Sequence, residues 1–143
     1  MTGDDGIQGA IDASAAALAA FVQGDAAPFA ALWSQGDDVT IFGGWGAYER
    51  GWDAVGPRLG WAASRFAGGR VAYEPLAAGS SGDLGYAIGL ERGQVRVAGS
   101  GEPRPLLLRV THIFHREEGQ WKLIHRHADP ITAKTPPEEI LQR

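Results

Sequence analysis

The chain has 143 residues, 44% of them hydrophobic and 21% charged, with a formal net charge of −4, which fits one soluble globular domain over 1–143 rather than a disordered or fibrous chain. The absence of cysteine excludes disulfides, thiolate metal sites and cysteine nucleophiles, and the mild negative charge argues against a nucleic-acid surface. No apolar run approaches the roughly 18 residues that cross a membrane, and MTGDDGIQGA lacks the regions of a signal peptide, so a cytoplasmic protein is expected.

Residues 1–6 read as a frayed start. Ile7, Ile11, Leu18, Phe21 and Val22 then mark one face of a helix over 7–23, stopped by Gly24. Asp25 is placed to cap a shorter second helix that runs to Trp33. DVTIFGG (38–44) is a short strand, rich in β-branched and aromatic residues. The loop after it carries Trp45, Tyr48 and Trp52. Their flat rings and polar edges suit closure over a ligand, anchoring of the loop, or an interface between subunits. A third helix is expected over 53–66, regular from Pro57 onward and ended by Gly68 and Gly69.

Four strands follow, at 70–78, 83–97, 105–116 and 120–128, separated by SSGD, GSGEPR and EEGQ. Helices first and antiparallel strands afterwards make an α+β pattern. Within 84–91, bulky Leu84, Tyr86, Ile88 and Leu90 alternate with Gly85, Ala87 and Gly89, which allows tight curvature. Glu91 falls on the small face and reads as an exposed strand end. Residues 130–143 form a tail, with Pro136 and Pro137 ahead of a last helical turn.

HIFHREEGQWKLIHRHAD (112–129) holds all four histidines of the chain. A tight turn centred on Glu118–Gly119 places His112 opposite His125, whereas a bulge at Gly119 would shift that pairing by one residue. One face then shows Val110, His112, Phe114, Leu123, His125 and His127, and the other shows Arg109, Thr111, His115, Lys122 and Arg126. Imidazoles among apolar side chains suit acid–base chemistry in a walled pocket, with Asp129 fixing a ring tautomer. The plainer alternative is a set of interior histidines satisfied by backbone or water. His125-x-His127 with His112 is also permissive of zinc, but strand alternation produces that spacing by chance, so no metal is assigned. GGWG lacks the lysine and spacing of a phosphate loop, and no serine sits in a nucleophile elbow.

FGGWGAYERGWDAV and LRVTHIFHREEGQWKLIHRHADP resemble the nuclear-transport-factor-2-like superfamily. Ketosteroid isomerase, the SnoaL-like cyclases, scytalone dehydratase and the association domain of calcium/calmodulin-dependent kinase belong to it. The resemblance spans nearly the whole chain. It implies a cystatin-like α+β cone, in which a curved antiparallel sheet wraps the N-terminal helices. The hairpin is most similar to the kinase association domain and to small stand-alone bacterial relatives, which implies that His112 faces the interior, with His112 and His125 in a pocket, and that the chain forms a homodimer or larger ring. Ketosteroid isomerase chemistry does not transfer, because Val39–Gly44 holds no carboxylate and helix 7–23 no tyrosine.

The resulting expectation is a small-molecule-binding protein, acting as a cofactor-independent acid–base enzyme (isomerase, dehydratase, cyclase or hydrolase) on a small apolar or aromatic ligand. Catalytic candidates are His112, His125, His127, Asp129 and Tyr86; ligand-lining candidates are Phe42, Trp45, Tyr48, Trp52 and Phe114. A non-catalytic ligand-binding or homo-oligomerisation module is the alternative.

Overall fold

A computed structural model describes residues 6–141, so the frayed start expected at 1–6 lies, apart from Gly6, outside the described residues. Three helices, α1 (Ile7–Phe21), α2 (Ala27–Ala30) and α3 (Trp52–Ser64), interleave with two short strands, β1 (Thr40–Phe42) and β2 (Glu49–Arg50). Four long strands follow: β3 (Phe66–Ser81), β4 (Leu84–Val97), β5 (Pro103–Glu117) and β6 (Gln120–Asp129). They form one sheet in the order β2-β1-β6-β5-β4-β3, antiparallel at every step except β1 beside β6. Helices on one face of a mostly antiparallel, unclosed sheet make the α+β cone that the sequence led one to expect. The tail ends in the expected turn, a 3-10 helix over Pro137–Ile140.

Local chemistry explains the elements. The apolar stripe of α1 turns Ile7, Ile11 and Leu18 inward. Gly24, at a φ of 98° that favours glycine, ends that segment, and the Asp25 carboxylate accepts the Ala27 N–H at 3.0 Å. α3 starts five residues before Pro57 rather than near it, after Gly51 at φ 80°. Pro57 forfeits one helical hydrogen bond but has the φ a helix requires. Gly68 and Gly69 do not stop α3; at φ 118° and 133° they form a bulge inside β3, where the register shifts between Phe66 and Gly69. The loop after β1 contains a strand that periodicity is too short to show, since Glu49 and Arg50 pair with Ile41 and Thr40.

The small face of β4 is the inner one. A Cβ at Gly85 would lie 2.9 Å from Ile7 Cδ1, and one at Gly89 would lie 2.6 Å from a ring carbon of Tyr73. Glycine there lets α1 and Tyr73 close onto the sheet. The core they complete is built from Ile7, Phe29, Trp33, Val39, Phe114 and Leu123, among others.

The hairpin turns where expected. Glu118 (φ 51°) and Gly119 (φ 79°) make a two-residue turn, and Glu117 pairs with Gln120. The expected pairing of His112 with His125 is nevertheless corrected. Phe114 faces Leu123, but the next residue, Ile113, faces His125, so Ile124 is an extra residue in β6. A single inserted residue sends everything beyond it to the opposite face. His112 therefore pairs with Arg126, and His125 and His127 pair with Ile113 and Thr111 on the outer face.

Candidate functional site

The bulge at Ile124 decides what the interior contains. It aims Arg126 into the cone beside His112 of β5 and Glu91 of β4. Arg126 grips the carboxylate with both arms: Nη1 donates to Glu91 Oε2 at 2.7 Å and Nη2 to Oε1 at 2.8 Å. Nη1 also lies 3.0 Å from His112 Nε2. Glu91 is 2% exposed and His112 3%. Buried charges are tolerated only when paired and hydrogen-bonded, and this set meets that condition. Around it the walls are aromatic: Phe29 and Phe114 have ring centroids 6.1 and 6.0 Å from that of His112, and the Arg126 guanidinium carbon lies 5.6 Å from the Phe29 ring.

A guanidinium can only donate, so His112 Nε2 must accept, which leaves the ring proton on Nδ1. Burial first, then the positive charge of Arg126 and the nearby His125, hold the His112 pKa well below its ordinary range. The imidazole is accordingly neutral at pH 7. Tyr73, directly across from Glu91 on β3, has its pKa raised, mainly by burial and then by the Glu91 charge, and remains a hydroxyl donor. Trp33, 1% exposed, carries a buried indole N–H with no acceptor among the described residues.

One consequence is measurable. A histidine whose pKa falls on folding binds a proton in the unfolded chain before it does so in the native one. Stability should therefore fall as pH drops below 6.5, the unfolded value, by up to about 1.4 kcal/mol per pH unit for this group. Urea midpoints between pH 7.5 and 5 should show that decline, and His112→Phe should flatten it. An equally steep decline in the variant would assign the proton uptake elsewhere.

The outer face holds the remaining catalytic candidates. His125 Nδ1 is 2.7 Å from Thr40 Oγ1, and its pKa is lowered by partial burial and by His127, with the Thr40 bond opposing. Phe42 sits edge-on between His125 and His127, with centroids at 5.2 and 5.3 Å. His127 Nε2 lies 3.2 Å from Asp129 Oδ2, and Arg109 clasps the same carboxylate through two bonds of 2.8 Å. That clasp, chiefly its hydrogen bond, lowers the Asp129 pKa. Of these groups His127, Asp129 and Arg109 rim an open cleft of about 380 Å³ walled by Leu76, Ile88 and Leu90. Tyr86 lies on the same face, opposite Ile113.

The structure thus divides the candidates. His112 and Phe114 are inside; His125, His127, Asp129, Tyr86 and Phe42 are outside. Tyr48 packs its ring on Phe42, Trp45 packs on Trp61 and Phe66, and Trp52 turns inward against Trp33. The sheet separates His112 from the other two imidazoles of the zinc-permissive set, and among the described residues no group of three or more His, Cys, Asp or Glu side chains is placed to hold a metal. Sequence reasoning placed Arg126 on the polar face and Glu91 at an exposed strand end. A signal for Glu91 existed: a carboxylate on the close-packed, glycine-lined face of β4 must find a cation.

Among the described residues no helix is long and apolar enough to cross a membrane. The comparisons with known proteins agree with the architecture. No curated protein matches the sequence. Among solved structures, a nuclear-transport-factor-2-like protein of Salmonella enterica serovar Typhimurium superposes with a TM-score of 0.77 at 17% identity, over 95% of each chain. A ketosteroid isomerase-like protein of Erwinia carotovora gives 0.74 at 19% identity, over 89% of this chain and 95% of its own. A Thiobacillus denitrificans protein named for the calcium/calmodulin-dependent protein kinase type II association domain gives 0.67 at 21%, over 86% of this chain and 93% of its own. At these identities the likeness establishes the fold. The model of the SnoaL-like domain matches residues 11–132, and the chain belongs to that family, with the fold seen in nuclear-transport-factor-2-like and ketosteroid isomerase-like proteins.

Proposed function

We propose that the chain binds a small, mostly apolar molecule bearing a carbonyl or hydroxyl oxygen inside the cone, and acts on it by cofactor-independent acid–base chemistry. The observation that carries this reading is the buried clasp of Arg126 on Glu91 and His112 within aromatic walls. A chain needing only a stable core would do as well with apolar residues there. In this reading His112, neutral and with Nε2 occupied by Arg126, donates through Nδ1–H to the ligand oxygen rather than taking a proton. Glu91, freed when Arg126 turns to the polarised oxygen, is the base, and Tyr73 is a second donor. Phe29 and Phe114 line the ligand, and entry requires Phe29 to move aside. The outer-face set of His125, His127, Asp129 and Tyr86 takes no part in this chemistry.

A panel of apolar ketones, enones and lactones, screened by amide and indole NMR shifts, tests the proposal. The expected hit perturbs Tyr73, Phe29 and Phe114 together, and Glu91→Gln removes any turnover, at a cost in stability because Arg126 loses its buried counter-charge. Perturbations confined to Tyr86, Ile88 and His127 would move the site to the outer cleft and end the interior reading.

A second reading, a homo-oligomerisation module, is favoured by the outer sheet face. Leu84, Tyr86 and Ile88 are exposed side by side there on alternate positions of β4, an apolar strip of the kind that marks an interface. A homodimer through this face is compatible with an interior site. Sedimentation of Tyr86→Lys, expected to be a monomer where the parent is a dimer, separates the two questions.

A further inference from the structure

α3 and its C-cap residue Arg65 place Arg58, Trp61 and Arg65 three and four residues apart, and that spacing puts them in one stripe. The Arg58 guanidinium carbon lies 4.0 Å from the centroid of Trp61, and that of Arg65 lies 5.7 Å away. The turn between β1 and β2, closed by a 2.9 Å bond from Gly46 N–H to the Gly43 carbonyl, brings Trp45 onto the same cluster. Its indole meets Trp61 edge-on at 5.4 Å and Phe66 at 5.2 Å.

Two features of this cluster do not serve the core. Trp45 is 47% exposed and Trp61 40%, a large aromatic area left facing water. Neither guanidinium has a carboxylate partner among the described residues, although the chain holds 17 acidic side chains against 13 basic ones. Arg65 uses only Nε, donating to Ser64 Oγ at 3.3 Å, and both of its terminal nitrogens stay available. Two like charges gathered on one indole repel each other, and an anion between them removes that cost.

We propose that this cluster is a binding site for a small planar carboxylate. The acid group would lie between Arg58 and Arg65, whose forked donors match its two oxygens, and the apolar body would rest on Trp45. The site lies at the rim of the cone: a Cβ on Gly44, next to Trp45, would be 3.5 Å from Leu108, the β5 residue paired with Glu91. A polyanion fits less well. Two cations in a chain of net charge −4 provide no extended basic track for a phosphate backbone. The site does not depend on chemistry inside the cone.

The test is titration with 2-naphthoate and with its neutral counterpart 2-naphthalenemethanol, by calorimetry and by the indole N–H signals of Trp45 and Trp61. The acid should bind about tenfold more tightly than the alcohol, as charge-assisted hydrogen bonds require. Arg58→Gln/Arg65→Gln, at a half-buried and an exposed position, should erase that preference with an unchanged circular dichroism spectrum. Equal affinity for the two probes, no binding of either at millimolar concentration, or naphthoate binding that survives the double substitution would overturn the assignment.

Discussion

Replacing Arg126 by leucine is expected to cost about 3–5 kcal/mol of folding stability, among the largest single effects in this chain. The loss does not measure the worth of the ion pair. It arises because Glu91, 2% exposed, is left as a buried carboxylate without its two hydrogen bonds, while His112 Nε2 loses its donor. The double variant Arg126→Leu/Glu91→Leu should recover most of the loss, since an apolar pair of similar volume needs no compensating charge. Urea unfolding of the three proteins, at constant slope, makes the comparison. If the single leucine variant is as stable as the parent, the clasp is open to water and cannot be the centre of a closed site. If the double variant remains as unstable as the single one, packing rather than charge accounts for the loss.

Trp33→Ala should cost a similar amount, about 3–5 kcal/mol, for a different reason. The indole is 1% exposed and packs against Phe29 and Trp52, with centroids 6.2 and 6.5 Å away. Its removal opens a cavity at the point where α2 hands over to β1. Trp33→Phe should cost much less, because the ring contacts largely persist and the indole N–H has no acceptor to lose. The buried donor therefore separates two situations. A phenylalanine variant nearly as unstable as the alanine one means that the N–H does have a partner in solution, and a bound molecule would then supply the acceptor.

Much of the fold is legible in the residues because each element carries its own local signal. The apolar stripe of Ile7, Ile11 and Leu18 gives α1, the β-branched run at 38–44 contains β1, and Glu118–Gly119 marks the hairpin turn. What is not legible depends on single backbone events with no composition of their own. Ile124 is as good a strand residue inside a regular ladder as outside it, yet its bulging reverses the faces of Arg126, His125 and His127. Once that residue is counted as extra, the same alternation rule that gathered three histidines gathers His112 with Arg126 instead. Gly68 and Gly69 show the same limit, since a pair of glycines permits a helix stop and a strand bulge equally. Pairing over long range also decides Glu91, whose cation stands 35 residues away along the chain, from Glu91 to Arg126.

The claim that the working centre lies inside the cone, around a neutral His112 held by Arg126, is tested most directly by nitrogen NMR of the labelled imidazoles between about pH 5 and 8. His112 should remain neutral throughout, with its proton on Nδ1 and Nε2 showing the shift of a hydrogen-bonded acceptor. Arg126→Leu should change that signal, and a ligand from the ketone panel should move it in the parent protein. A His112 ring that titrates as a free histidine does, or that carries its proton on Nε2, would contradict the account.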